Sequence, residues 1–387
     1  MSNPYNEKLH ELLIETKSIL YVAATGAGPA LQKDLWDNPG ASQYLAGFYT
    51  PYGRTALHSF LGHPPEDSYC CEAVAYDLAM ASYIRAAEHK VISKIDGDPV
   101  GMGITAAVAS IELPRGDQRA HVCIITKDAV LYHNIVFKDK GTGKETRQGQ
   151  DELLATLVST WLGCLLEGPT KSKLNPGTKA SETALERFYR YPIFKTNGTR
   201  HPRSSGGEGA VYLPATLNPI HDGHRAMCDA AEAELSPSGP GRIKASYLVS
   251  SCSPHKGSLT VQEMLFKAGM LRAERWLGPS RSVEFTHDEP LFIDKARKRP
   301  GSVFLIGADT MQRMLEPQWY GSEETLDDVL RDMSNLKTKF MVMERMVDGK
   351  VLGCRDIEVK WPYGNIFEPF GGRVDISSSE LREDAAQ

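Results

Sequence analysis

The chain has 387 residues, 41% of them hydrophobic and 24% charged, with a formal net charge of -5. This is ordinary globular composition. It excludes a global basic field of the kind that gathers nucleic acid, and the length suggests roughly two or three domains.

The opening MSNPYNEKLHELLIETK is polar and has no apolar h-region, and no run approaches the length of a membrane span. Neither a signal peptide nor a membrane anchor is expected, and the location is read as cytoplasmic. Seven cysteines, Cys70, Cys71, Cys123, Cys164, Cys228, Cys252 and Cys354, are odd in number and show no CxxC spacing. That pattern argues against a zinc site or a disulfide framework and for reduced thiols, with no metal held by the protein itself.

In chain order, Tyr5 to Lys17 carries Leu9, Leu12 and Leu13 at helical spacing, and Ile19 to Ala24 reads as a buried strand ended by TGAG. His121 to Thr126 and Val130 to Phe137 read as a strand pair. Asp151 to Leu166 sets Leu153, Leu154, Leu157, Val158, Trp161, Leu162 and Leu165 in a helical stripe closed by Gly168-Pro169. A Pro/Gly-rich bridge follows, with one short helix over Ser181 to Phe194, and then Thr196 to Gly209, which is dense in turn formers. The expected organisation is a domain over 1–168, a linker over 169–207 with that one helix, and a second domain over 208–387.

Strand and helix signals alternate after the boundary. Strands are expected at Ala210 to Leu213, Ala245 to Ser250, Ser302 to Ile306 and Lys339 to Met343. Helices are expected at His224 to Glu234, Val261 to Trp276 and Thr310 to Leu315. This alternation predicts a parallel sheet covered on both faces. The fold class is α/β: two α/β domains, the C-terminal one a Rossmann-like doubly wound parallel sheet.

The stretch TLNPIHDGH, Thr216 to His224, follows the first strand of the second domain and runs into a helix. In an open parallel sheet, ligands sit at the carboxyl ends of the strands. A helix N-terminus there offers free N–H groups and the positive end of a dipole, which suits phosphate. Gly223 lets backbone approach a ligand, and His221 and His224 can donate to phosphate oxygens. The bland reading is a turn with an Asn cap and two satisfied histidines.

Further segments decide between these. VYLPATLNPIHDGH keeps Asn218, Pro219, His221, Gly223 and His224 of a GxFDPxHxGH-like motif, but has Leu213-Pro214-Ala215 in place of the usual glycines. SCSPHKGSLT carries Pro254, His255 and Lys256; FLIGADTMQRML carries Gly307, Ala308 and Asp309, with Trp319 beyond; ISSSELR runs from Ile376 to Arg382. In this order the four segments resemble the nicotinamide/nicotinate mononucleotide adenylyltransferases of the HxGH nucleotidyltransferase superfamily.

The resemblance implies a nucleotidyltransferase-type sheet. It also implies a reaction in which a pyridine mononucleotide attacks the α-phosphate of ATP and expels pyrophosphate, in NAD biosynthesis or salvage. By the family pattern His221, His224 and Arg382 are the catalytic groups. Thr216, Asn218, Gly223, Lys256, Ser377, Ser378 and Ser379 hold ATP phosphates. Gly307 and Asp309 hold the substrate sugar, and Trp319 stacks on the pyridine ring. Mg2+ comes with ATP, bound mostly through water and phosphate oxygens. Between Val283 and Pro300 the family's hydroxyl-bearing piece is replaced by DEPLFIDKARKRP, so the choice between nicotinamide and nicotinate is not readable.

The first domain shows ATGAG, NPGAS at Asn38 to Ser42, AGFYTPY ending at Tyr52, and AVAYDLAMASYIRAA as a helix. These resemble the C-terminal domain of the CinA family, nicotinamide mononucleotide deamidases. The family's nucleophilic serine falls on Ala23 or Thr25 depending on the alignment, and the later TGIAGP segment is lost after Thr105. Thr25 and Tyr52 are what remains of a possible site. The expectation is a degenerate domain used for oligomerisation or nucleotide binding, with a homo-oligomer implied by the resemblance. Small-molecule substrates, ATP and a pyridine mononucleotide, are the expected partners. The competing readings are a nucleotidyltransferase with another acceptor, a non-catalytic nucleotide sensor, and a deamidase still working through Thr25.

Overall fold

The computed structural model describes residues 4–113, 115–138, 140–168, 178–190, 210–217, 220–236, 243–253, 257–273, 281–347, 349–359 and 362–373. The chain divides into two compact units: Met1–Phe194 with Thr260–Arg275, and Lys195–Leu259 with Trp276–Gln387.

Unit 1 contains α1 (Pro4–Glu15), β1 (Ser18–Thr25), α2 (Pro29–Trp36), β2 (Leu45–Tyr49), α3 (Arg54–Leu61), α4 (Glu72–Ser93), β3 (Asp98–Ala107), β4 (Arg119–Ile125), β5 (Val130–Val136), α5 (Gly143–Leu166) and α6 (Thr178–Arg190). Its sheet has the order β2-β1-β3-β4-β5. β1 runs parallel to β2 and β3, while β3, β4 and β5 are antiparallel. The sequence reading finds the β4–β5 pair but misses β3, the strand at the centre.

Alternation sorts the two faces. Leu20, Val22 and Ala24 of β1 join Val100, Met102 and Ile104 of β3 in one cluster with Leu9 and Leu13 of α1, Leu31 and Leu35 of α2, and Leu154, Val158 and Leu162 of α5. The other face is covered by α4. A Cβ on Gly101 would lie 2.3 Å from Tyr83 N, and one on Gly103 would lie 2.2 Å from Ala75 O. Two glycines on the strand and alanines on the helix therefore let backbone approach backbone.

Unit 2 begins with β6 (Val211–Ala215), α7 (Asp222–Leu235), β7 (Ala245–Val249) and the short pair β8 (Cys252–Ser253) and β9 (Gly257–Ser258). The chain then forms α8 (Val261–Ala273), which packs with unit 1: a Cβ on its Gly269 would stand 2.5 Å from the Ala87 methyl of α4. Arg272 of α8 pairs with Glu88 at 2.9 Å. The linker helix α6 also belongs to unit 1. Its Arg187 Nε donates to fully buried Asp77 of α4 at 2.7 Å, and Tyr189 donates to Met264 Sδ of α8 at 3.4 Å.

The rest of unit 2 is β10 (Val283–Phe285), α9 (Phe292–Lys298), β11 (Val303–Gly307), α10 (Ala308–Met314), α11 (Glu323–Asn335), β12 (Lys339–Val347), β13 (Lys350–Leu352) and β14 (Phe367–Arg373). The sheet order is β10-β7-β6-β11-β12, with β13 and β14 on β12. All pairings are parallel except the β12–β13 hairpin. Numbered in chain order, the six parallel strands among the described residues stand 3-2-1-4-5-6, with the switch between β6 and β11.

Ile293 and Ala296 of α9, Met311 of α10 and Leu330 and Met333 of α11 share a cluster with Phe304, Ile306, Phe340 and Val342 of the strands. The helix α7 packs against β6, β7, β11 and β14. No helix among the described residues is long and apolar enough to cross a membrane.

Candidate functional site

The first strand opens the switch point. The β6–β11 ladder pairs only Val211 with Val303 and Tyr212 with Phe304, although β6 stays paired with β7 as far as Ala215. Pro214 has no N–H to give to a ladder. Beyond Tyr212 the chain parts from β11 into the loop that holds Thr216 and Leu217. Leu217 is buried at φ 47, a left-handed backbone unusual for a bulky residue.

The loop delivers His221 as the residue that caps α7, and His224 in the helix's first turn. The His224 N–H donates to His221 O at 3.0 Å, and the His221 N–H donates to His224 Nδ1 at 3.3 Å. The two rings stand 3.8 Å apart between centroids at an angle of 35°. His224 is 8% exposed, and burial, aided by the neighbouring His221 and the Arg345 charge, pushes its pKa down to about 3. Burial also lowers His221, with Arg345 acting the same way against Asp222. Both rings are therefore neutral near pH 7. His221 Nδ1 is buried with no hydrogen-bond partner among the described residues.

Across the switch point, β11 ends at Gly307 and α10 opens with Ala308 and Asp309. Asp309 accepts from Arg313 at 2.9 Å, and its other oxygen lies 3.8 Å from Nε of Arg345, near the carboxyl end of β12. A Cβ on Gly307 would stand 2.5 Å from Asp309 Oδ1 and 2.9 Å from Arg345 Nε, so the glycine is what lets this pair meet.

The structure thus places His221, Gly223 and His224 at the start of α7, after β6, and Gly307 and Asp309 at the end of the neighbouring strand β11. Trp319 lies beyond α10 in a short 3-10 turn, where its Nε1 donates to Glu316 at 3.1 Å. Asn218, Lys256, Ser377, Ser378, Ser379 and Arg382 lie outside the described residues. Arg345 is the site residue that sequence reasoning misses. Its one signal is a Glu-Arg pair interrupting the apolar run FMVM.

A second polar cluster occupies the carboxyl ends of β7 and β10. The Ser251 N–H donates to Thr286 Oγ1 at 3.1 Å, and both residues are buried. Arg299 pairs with Glu289 and Glu284. Lys295 of α9, 3% exposed, donates to the Glu289 carbonyl, and burial pushes its pKa down to about 8 against the nearby Glu289 charge. This lysine lies within DEPLFIDKARKRP.

In unit 1, Thr25 ends β1 opposite Thr105 of β3. A tight turn follows: Gly26 has φ 84, and a Cβ there would lie 1.9 Å from Ala106 O. The amides that open α2 are already engaged, because Asp151 of α5 accepts from Gly28 N at 2.6 Å and from Ala30 N at 2.9 Å. Arg147 of α5 donates to Gly26 O at 2.7 Å and to Ala109 O at 3.1 Å. Tyr52 is 69% exposed. At the opposite end of the sheet a cavity of about 420 Å³ is lined by Ser18, Asp98, Val100, Lys127, Cys164 and Leu165 among others.

No family model matches the sequence, and no curated protein matches it. Among solved structures the chain is similar to a competence-damaged protein (CinA) superfamily protein from Enterobacter cloacae, at 16% identity over 41% of this chain and 90% of that one, with a TM-score of 0.31. It is similar to another protein of that superfamily from Klebsiella pneumoniae, at 13% identity over 43% and 99%, with a TM-score of 0.30. A competence/damage inducible protein from Agrobacterium tumefaciens matches at 17% identity over 42% and 98%, with a TM-score of 0.28.

Proposed function

We propose that residues 208–387 form an adenylyltransferase that joins ATP and a pyridine mononucleotide into a dinucleotide and releases pyrophosphate. The observation that carries the reading is the placement of His221 and His224 at the start of α7, across the switch point of a 3-2-1-4-5-6 sheet from Asp309. The motif resemblance supplies the reaction; the geometry supports it by putting its histidine and aspartate segments at one crevice.

In this mechanism a 5′-phosphate oxygen of the mononucleotide attacks the α-phosphorus of ATP. The bond from that phosphorus to the bridging oxygen breaks, and pyrophosphate leaves with the electron pair. No covalent enzyme intermediate is required. Catalysis then rests on positioning and on stabilising charge that grows on phosphate oxygens. His224 is suited to this because its Nδ1 accepts the His221 N–H, which leaves Nε2 as the N–H donor. A neutral donor in a buried site stabilises developing charge without moving a proton. The first amides of α7 add donors beside it.

Among the described residues no group of three or more His, Cys, Asp or Glu side chains could hold a metal ion. Magnesium enters as the ion ATP brings, bound by phosphate oxygens and water. By the resemblance, Thr216, Asn218, Lys256, Ser377, Ser378, Ser379 and Arg382 complete the phosphate cradle, and Trp319 stacks on the pyridine.

For residues 1–168 the proposal is a CinA-like domain that has lost its reaction and mediates self-association. Two features support the loss of the reaction. Neither Ala23 nor Thr25 is serine, and the Asp151 carboxylate already accepts from the amides at the start of α2. Ammonia release from nicotinamide mononucleotide that Thr25→Ala abolishes would overturn this half of the reading.

The test is pyrophosphate release by the purified chain with ATP and magnesium, offered nicotinamide mononucleotide and nicotinate mononucleotide separately. Release dependent on either supports the reading, and the ratio gives the base preference. Release only with a different phosphorylated acceptor moves the chain to another nucleotidyltransferase. ATP binding with no release for any acceptor makes it a sensor.

A further inference from the structure

We infer that the cavity at the amino-terminal end of the unit 1 sheet binds a small molecule with an apolar body and a protonated amine. The cavity lies where β1 and β3 begin, at Ser18 and Asp98, beside the β4–β5 turn and the last turn of α5. Thr25 stands at the other end of β1, so this site is separate from what remains of the CinA-like one. The inference is independent of the adenylyltransferase reading.

Size and floor suit a ligand. The volume of about 420 Å³ falls within the roughly 300–1,000 Å³ of small-molecule pockets. Val100 of the lining belongs to the core cluster, and Leu165 and Leu166 pack against that cluster. They give the cavity an apolar floor.

The hydroxyl protons of the lining are already committed. Thr16 Oγ1 donates to Leu12 O at 2.6 Å. In its 2.8 Å contact with Ser18 Oγ it therefore accepts, which uses the Ser18 proton. Thr126 Oγ1 accepts from Ala129 N at 3.1 Å, and its own proton points to Ala129 O at 3.4 Å. What these hydroxyls still offer a ligand is lone pairs.

Charge points the same way. Two lining carboxylates, Asp98 and Asp128, stand against one ammonium, Lys127, which lies 2.6 Å from Asp98. Asp98 and Lys127 keep 42% and 56% of their side chains exposed, and Asp128 is exposed as well. The charge thus lies at the mouth, above the apolar floor. Acceptors with a net negative charge favour a cationic donor and repel carboxylates and phosphates. An arylalkylamine matches, with its ring on the leucines and its ammonium at the mouth.

The alternative is a packing gap that holds nothing. Cys164 lines the cavity and is partly exposed, so its alkylation reports occupancy. The full chain is offered phenethylamine and tryptamine, and separately 3-phenylpropionate and indole-3-propionate. Affinity is read by titration calorimetry, and the rate of iodoacetamide labelling at Cys164 by mass spectrometry of its peptide.

The inference expects at least one amine to bind and, at ten times its Kd, to slow Cys164 labelling by about tenfold. Neither acid does so. Asp98→Asn combined with Asp128→Asn, with an unchanged circular dichroism spectrum, should weaken the amine by about tenfold. Ala129→Phe, which fills the cavity, should abolish its binding. Labelling that neither amine slows would overturn the inference, as would acids that bind as tightly as the amines. Wild-type amine affinity in the double asparagine variant would overturn it too.

Discussion

The His221 N–H donates to Nδ1 of His224 at 3.3 Å, and this contact decides which nitrogen of the second ring carries the proton. With Nδ1 accepting, the proton sits on Nε2, and burial keeps the ring neutral because its pKa is pushed down to about 3. His224 is therefore a fixed donor rather than a general base that titrates near neutrality. Removing it by His224→Ala should lower kcat by about a hundred-fold or more with the fold retained. The kcat profile of the wild type should show no inflection from this residue between about pH 5 and 8. An inflection near the ordinary histidine value that disappears in His224→Gln would contradict the assignment.

The same depressed pKa makes a prediction about stability. The ordinary value in an unfolded chain is 6.5, well above the folded value of about 3. As pH falls below the first value, the unfolded chain takes up a proton that the folded chain refuses. Stability is present in full above that point and falls by about 1.4 kcal/mol per pH unit beneath it, until the folded ring titrates. His221, lowered in the same direction, adds to the slope. Urea unfolding of the unit 2 transition at pH 7.5 and 5.5 should show a loss in the wild type that exceeds the loss in His224→Gln by about 1.4 kcal/mol. Equal losses would mean that His224 is protonated in the folded state.

Close backbone packing in unit 1 gives a paired prediction. Gly103→Ala would force a methyl to within 2.2 Å of Ala75 O on α4, and should cost about 1–3 kcal/mol or more. Gly149, exposed on α5, has nothing within 4 Å of its added Cβ. Gly149→Ala should stabilise by about 0.5–1 kcal/mol through helix propensity alone. A Gly103→Ala midpoint at or above that of the wild type would contradict the described α4–β3 contact.

Asp151 spans two elements distant in the sequence, capping α2 from α5. Asp151→Ala would leave two amides without their acceptor and should cost about 1–3 kcal/mol. Asp151→Asn keeps one acceptor oxygen and should cost less. Thermal unfolding of both variants checks the order, and an Asp151→Ala protein as stable as wild type would show that water replaces the carboxylate without loss.

Local signals made much of this legible in the sequence. The alternation of strand and helix after residue 210 predicts an α/β sheet because each strand is a short apolar run bounded by turn formers. His221, Gly223 and His224 stand out because they sit where a strand runs into a helix, while Asp309 is named only by the motif resemblance. What sequence does not show is contact between distant segments. Arg345 looks like a charge on the exposed side of a strand, and only the sheet order brings it to Asp309. The strand β3 is missed because Gly101 and Gly103 dilute its β-forming run, and those glycines make sense only with α4 against them. The helix α8 has the spacing of a helix in the second domain, yet it packs on α4, a choice set by its fit against Ala87 and Ile84 rather than by its own pattern.

The most direct test of the central claim follows the α-phosphate. ATP labelled at that phosphate is incubated with the wild-type chain, magnesium and a pyridine mononucleotide, and the products are separated. The account predicts label in a dinucleotide, unlabelled pyrophosphate formed in equal amount, and a sharp fall in both with His224→Ala. Label that remains in ATP, or that appears only in free ADP or AMP, would contradict it.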